Sequence, residues 1–190
     1  MIGAILAGTY GGGALAGDFE SIATVLVGSG GSASVDFQNI PGTFQHLQLR
    51  YIARDNRAGT NSDDIFIRVN NDATTGNYNS HRLLGNGGGG APSSDRVTGY
   101  AGVLSAFVAA STAGASRFGA GVTDFLDYSN GNKNKVSRSL GGFDDNGSGF
   151  STFISGLWMS TSVITRLTVY PLNGTSFDQN SHFALYGIKG

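Results

Sequence analysis

The side chains able to do chemistry are few, and their spacing limits what that chemistry could be. His46, His81 and His182 are far apart in the chain and form no H-x-H or H-E-x-x-H pattern, so nothing resembles a zinc site. The segment Gly142-Phe143-Asp144-Asp145-Asn146-Gly147-Ser148-Gly149 joins carboxylates to a glycine turn, as calcium loops do. It lacks the D-x-D-x-D-G order, and no bidentate glutamate follows at the required offset, Glu20 being the one glutamate in the chain. A plain Asn-Gly hairpin turn accounts for it. A glycosidase needs two carboxylates across a cleft. Asp63, Asp64, Asp124, Asp127, Asp144 and Asp145 could supply them, but acidic turn residues belong to any β protein and spacing selects no pair. No G-x-S-x-G elbow occurs, and with no cysteine there is no thiol nucleophile and no disulfide framework.

Aromatic side chains offer a different chemistry, a stacking platform for sugars. Trp158, the single tryptophan, could form one with Tyr128, Tyr170 and Tyr186. The preceding Ile154 and Leu157 point instead to a buried anchor. Asn146-Gly-Ser and Asn173-Gly-Thr match the glycosylation acceptor pattern, which a chain rich in Asn, Gly, Ser and Thr produces by chance.

The elements that must position these groups are strands. Between residues 31 and 71, Ala33, Val35 and Phe37 alternate with Ser34 and Asp36. Ile40-Pro41-Gly42 breaks the run, because proline fixes φ and cannot donate to a ladder. Leu47, Leu49 and Tyr51 then point one way and His46, Gln48 and Arg50 the other; Ile65, Ile67 and Val69 repeat the pattern. Gly28-Ser29-Gly30-Gly31 has no following Lys-Ser/Thr and no helix to open, so it reads as a hairpin turn and not a phosphate cradle. Further strands are expected over 78–84, 97–110, 118–128, around 136–140, and over 150–159, 163–170 and 182–188, with residues 85–94 as an exposed excursion. Asn130-Gly131 and Asn146-Gly147 are type I′ turn signals. About ten strands and no convincing helix predict an all-β, antiparallel, jelly-roll-like β-sandwich.

Composition agrees. The 190 residues suit one domain, expected over 18–190, large enough to bury a core without a metal or disulfide. Charged residues are 13%, about half the usual quarter, and 31 glycines are about twice the usual share. The net charge of −1 supplies no basic field for phosphates, which argues against nucleic-acid binding. Residues 1–17 are apolar and glycine-rich. Ala14-Leu15-Ala16 looks like a cleavage site, but no Lys or Arg precedes it and Gly11-Gly12-Gly13 interrupts the run, which is too short and broken to span a bilayer. The segment reads as a first strand or as an extended arm whose Ile2, Ile5, Leu6 and Tyr10 dock on a neighbouring subunit.

Several of these segments together resemble a domain frequent in virion proteins of tailed bacteriophages. They are Val-Gly-Ser-Gly-Gly at 27–31, Ser-Val-Asp-Phe at 34–37, Ile-Pro-Gly-Thr-Phe at 40–44, His-Leu-Gln-Leu-Arg at 46–50, Ile-Arg-Val-Asn at 67–70 and Asn77-Tyr78. Leu126-Asp127-Tyr128, Ser155-Gly156-Leu157-Trp158 and Phe183-Ala184-Leu185-Tyr186-Gly187-Ile188 extend the resemblance across about 19–189. It implies a standalone structural protein or a module of a tail or fibre, and transfers no catalytic residues. The expectation is therefore a non-enzymatic virion protein without cofactor or metal, a decoration or cement protein on the capsid shell. Its partners would be other virion proteins, above all the major capsid protein, and further copies of itself, with a homotrimer suggested by the role. Assembly in a reducing host cytoplasm suits the absence of cysteine. The alternative is a tail-fibre or tail-tip module that binds host-cell glycans through Trp158; a glycoside-cleaving depolymerase ranks below both.

Overall fold

The computed structural model describes residues 18–190, so the expected docking residues Ile2, Ile5, Leu6 and Tyr10 lie outside the described residues. Twelve strands are present among them where about ten were expected: β1 (Phe19–Leu26), β2 (Val35–Phe37), β3 (His46–Ala53), β4 (Ser62–Val69), β5 (Tyr78–Gly85), β6 (Ser93–Thr98), β7 (Val103–Ala109), β8 (Gly119–Leu126), β9 (Lys135–Asp144), β10 (Gly149–Trp158), β11 (Leu167–Pro171) and β12 (His182–Ile188). One short 3₁₀ turn, Thr75–Asn77, precedes β5. The strands form two antiparallel sheets, ordered β1-β12-β3-β8-β9-β10-β5-β6 and β2-β11-β4-β7.

That order defines the architecture. β1 pairs with β12, β2 with β11, β3 with β8 and β4 with β7, so the first strand meets the last and each pair is nested inside the one before. Successive members fall on alternate sheets. This is a jelly roll of eight strands. Two hairpins are inserted into it, β5-β6 between β4 and β7, and β9-β10 between β8 and β11, and both extend the large sheet beyond β8.

Alternation builds the core. Leu47, Leu49, Tyr51 and Ala53 of β3 are buried against Ile65, Ile67 and Val69 of β4, with Phe125, Phe183 and Leu185 completing the layer. Farther along the large sheet the inward side chains shrink to Gly121, Ser137, Ser139, Gly141 and Gly156, because β7 packs directly over β8, β9 and β10. Tyr51 Oη, Ser105 Oγ, Thr123 Oγ1 and Ser139 Oγ form a buried chain of hydroxyl hydrogen bonds at 2.8, 2.7 and 2.9 Å across this narrow gap. These four hydroxyls satisfy one another, as desolvation requires, whereas the buried Ser137 Oγ in the same gap has no partner among the described residues. Past β7 the large sheet curls round the small one: Arg82 of β5 reaches Asp64 of β4 at 3.0 Å, and Ile154 and Val97 pack with Phe66 and Leu104. The inserted hairpins thereby cover the edge strand β7, which would otherwise offer unpaired backbone to another chain.

Lys135 opens β9 with its side chain buried, and its Nζ donates to the carbonyls of Asn130, Lys133 and Thr161 at 2.6, 2.7 and 3.0 Å. Burial lowers its pKa, and three acceptors hold the ammonium in place. Lys135→Met is expected to leave these carbonyls unpaired and cost about 3 kcal/mol, read as a fall in the urea midpoint at unchanged slope.

Several sequence expectations need correction. The Gly28–Gly31 turn joins strands of different sheets and is not a hairpin. Its Gly31, at φ 69°, passes so close to the Phe177 carbonyl that a Cβ would sit 2.8 Å from it. The expected strand over 97–110 is two strands, broken at Gly99 (φ 86°). The expected strand over 163–170 starts only at Leu167, because Thr165 and Arg166 donate their N–H groups to the Asn70 side chain. Asn146-Gly147 does close the β9-β10 hairpin with both φ values positive, 56° and 104°. Asn130-Gly131 does not; near it the left-handed residue is Asp127, and Asn130 instead caps the backbone N–H of Asn132 at 2.9 Å.

Candidate functional site

The large sheet has one face on the core and one facing out, and the outward face carries the unusual chemistry. In β9 the expected polarity is inverted. Ser137, Ser139 and Gly141 point inward because the gap to β7 is narrow, which leaves Val136, Arg138 and Leu140 outside. Antiparallel register then places Leu83 beside Phe153, Phe153 beside Leu140, and Leu140 beside Val122. These four side chains lie on four adjacent strands and form an apolar ladder across the sheet. Leu83, Phe153 and Leu140 are 53%, 52% and 59% exposed. Single exposed leucines are ordinary; a contiguous row that no described residue covers marks a contact surface.

The rungs on either side define the rest of the face. One rung reads Arg96, His81, Ser155, Arg138, Asp124, Gln48 from β6 to β3. Beyond it Leu157, Val136 and Leu126 make a second apolar row. On the other side Ser151, Gly142 and Ala120 leave the ladder standing proud. Arg138 and Asp124 are cross-strand partners, yet neither enters an ion pair among the described residues. Arg138 donates to Ser155 Oγ at 2.6 Å and Asp124 accepts from Gln48 at 2.7 Å. Arg50 stands on the Tyr186 and Phe19 rings at 5.1 and 5.4 Å.

The residues singled out from sequence do not converge on one site. His81 and His182 are exposed on strands separated by β10, β9, β8 and β3, while His46 accepts the backbone N–H of Asp127 at 2.9 Å. No group of three or more potential metal ligands occurs among the described residues. Asp145 is taken up by the Arg117 guanidinium and the Gly114 N–H, and Asp144 accepts the Asn146 N–H, so the candidate calcium loop is held by its own protein donors. Trp158 is 3% exposed and its indole N–H donates to Asp72 at 2.8 Å. Tyr128 is buried as well, Tyr170 lies on the small sheet under Arg68, and Tyr186 is on the opposite face of the large sheet from Trp158. These four form no platform, and a buried indole has no ring face to offer a sugar. Burial disfavours the ionised Asp72, but hydrogen bonds from Trp158, Asn77 and Thr74 outweigh it and hold the carboxyl down at about 2.

One carboxylate pair does exist, and spacing did not single it out. Asp55 and Asp63 are fully buried side by side where the β3–β4 connection meets the β11–β12 loop. Asp63 accepts from the Asn173 and Gly174 N–H groups, both at 2.8 Å, from the Asn173 amide at 2.7 Å and from Arg57 at 3.1 Å. Asp55 Oδ1 accepts the Arg57 N–H at 3.1 Å, while Oδ2 has no donor facing it. Burial, followed by the adjoining Asp63 carboxylate, pushes Asp55 up to about 8. The shift favours the protonated acid at neutral pH beside Asp63, whose own pKa is lowered because this ring of donors outweighs burial. With every Asp63 oxygen committed inside the protein, the pair clamps two loops together. Two open clefts, of about 530 and 440 Å³, are lined respectively by Leu140, Phe143 and Phe150 with four glycines of the β9-β10 hairpin, Gly85 of β5 and Gly87 of the β5–β6 loop, and by Ser29, Arg54, Ser176 and Asp178 among others. Neither reaches the Asp55–Asp63 pair or Trp158.

Compared with protein-family models, curated proteins and solved structures, the chain finds no match.

Proposed function

We propose that this chain is a non-enzymatic structural protein of a tailed-phage virion, one that decorates or cements the shell by packing the outer face of its large sheet, and its N-terminal segment, on neighbouring protein. The observation that carries the reading is the apolar ladder of Leu83, Phe153, Leu140 and Val122, which no described residue covers, on the outer face of the eight-stranded sheet. Burial of such a row is worth about 25 cal/mol per Å² of apolar surface, enough to hold a subunit at a junction without a ligand. Jelly rolls serve as capsid domains, and equally as lectins and enzymes, so the fold alone names no function and the proposal rests on the outer face. The major capsid protein is the partner such a role calls for.

Particle association tests the proposal. Protein lacking residues 1–17 should keep its far-ultraviolet β signature and be lost from purified particles, and Leu140→Glu should lower occupancy in the same assay. Full occupancy by the truncated protein would sink the role of the N-terminal segment; full occupancy by both would sink the proposal. Copy number on the particle places the protein: hundreds on the shell, a handful on the tail.

A further inference from the structure

We infer that the outer face of the large sheet is an isologous interface, closed by a second copy of this chain about a twofold axis that runs along the strands between β8 and β9. The inference rests on the proposal that this face is a contact surface and adds what covers it.

The argument is the order of side chains along the rungs. A twofold placed between β8 and β9 sets β9 opposite the partner's β8, β10 opposite its β3, and β5 opposite its β12. On the polar rung Arg138 then faces Asp124 of the second copy, and Asp124 faces its Arg138, so two charges left without ion-pair partners within one chain are each met across the interface. Ser155 faces Gln48, a donor and acceptor pair. On the ladder Leu140 faces Val122, and Phe153 meets Arg50 with its Tyr186 stack. On the outer apolar row Val136 faces Leu126. Apolar meets apolar at Leu140–Val122 and Val136–Leu126, opposite charges meet at Arg138–Asp124, and Phe153 meets a guanidinium that already stacks on aromatic rings, a self-complementary pattern of the kind a twofold contact demands.

Size agrees. The six strands from β5 to β12, at ~4.8 Å spacing and about seven residues of ~3.3 Å each, present roughly 650 Å² per copy, or about 1,300 Å² in all, which reaches the range of specific interfaces. Two sheets stacked face to face keep their strands within about 30° of each other, which an axis along the strands allows. A separate shell protein would need only the apolar ladder. The paired opposite charges at mirrored positions favour a second copy, and with it twofold order instead of the trimer expected from the role alone.

Sedimentation velocity on the purified full chain, with circular dichroism as the folding control, decides the matter. The wild type should be a dimer. Leu140→Glu should be monomeric with an unchanged spectrum. Arg138→Asp and Asp124→Arg should each weaken dimerisation at least tenfold by setting like charges face to face, and the double swap should restore it. A wild type that stays monomeric, or forms a trimer, overturns the inference, as does a dimer indifferent to Leu140→Glu and to both charge reversals. The contact-surface proposal is read separately: a monomeric wild type whose particle binding still falls with Leu140→Glu keeps that proposal and loses this inference.

Discussion

Asp55→Asn is expected to stabilise the protein at about pH 9 and to change it little at about pH 4. Asp55 is fully buried against Asp63 and titrates at about 8, pushed up first by burial and then by its carboxylate neighbour. The sign follows from proton counting. Below about pH 4 the folded and unfolded chains both hold this proton. Between there and the folded pKa only the folded chain keeps it, so stability falls with rising pH by about 1.4 kcal/mol per unit for this one site. The contribution is fully present at low pH and is lost as pH rises through the folded value. Asparagine keeps the geometry: its oxygen accepts the Arg57 N–H and its amide donates to Asp63 in place of the acid proton. The groups facing Asp55 are Asp63, Arg57 through its bond to Asp63, and Asp178, which pairs with Arg54 at 3.3 Å. Asp64, raised to about 6 chiefly by burial despite Arg82, tilts stability the same way, so only the difference between variant and wild type isolates Asp55. Urea unfolding should show a gain of several kcal/mol at the alkaline end, about 1.4 kcal/mol for each pH unit between the unfolded and folded values, and near-coincidence at about pH 4. A loss of equal size at both pH values would show that the pair holds no proton.

Gly141→Val is expected to be strongly destabilising, although valine is among the best strand formers. Gly141 points into the gap where β9 passes under β7. A Cβ there would sit 2.7 Å from the Ala106 methyl and 2.7 Å from the Ala120 carbonyl oxygen. Neither can yield as a flexible side chain can, since one is a β-carbon fixed to its strand and the other is backbone. Overpacking of this kind costs on the order of 3 kcal/mol or more. Thermal unfolding should fall accordingly, while Gly131→Val, in a turn with open space around it, should have little effect. If the two variants melt together, the close approach of the sheets is not what fixes glycine in β9.

Where the chain alternates cleanly, the sequence reads correctly. Residues 31–71 show period two, and Leu47, Leu49, Tyr51, Ile65, Ile67 and Val69 are all buried as that period implies. The Asn146-Gly147 turn is equally legible because its geometry is local. What fails is nonlocal. Gly28–Gly31 looks like any hairpin turn, and only the partners of β1 and β2 reveal a change of sheet. The outer ladder draws its members from β5, β10, β9 and β8, scattered between residues 83 and 153, so no window of sequence contains it. A local clue did exist in Val136-Ser-Arg-Ser-Leu140-Gly, where small residues alternate with large ones and the small set takes the inside. Asp55 was hidden by its setting in a polar stretch that reads as an exposed loop; its carboxyl is packed against Gly174, more than a hundred residues away. Trp158 shows the opposite case, since the apolar residues before it signalled the burial that removes it from sugar binding.

The nesting of strand pairs also orders events in time. The innermost pair, β4 with β7, closes the shortest loop, and β1 waits for β12, whose last residue is 188. Loop closure grows dearer with length, if only slowly, and nonlocal ladders of this kind fold in milliseconds to seconds. On the ribosome, therefore, the outer seam of the barrel-like roll cannot close until β12 has emerged. Until then β3 has no neighbour on one side, and its Leu47, Leu49 and Tyr51 lack the cover of Phe183 and Leu185. The interval between synthesis of β3 and arrival of β12 is the period in which this protein is most exposed to aggregation, and the length of that interval is written into its topology.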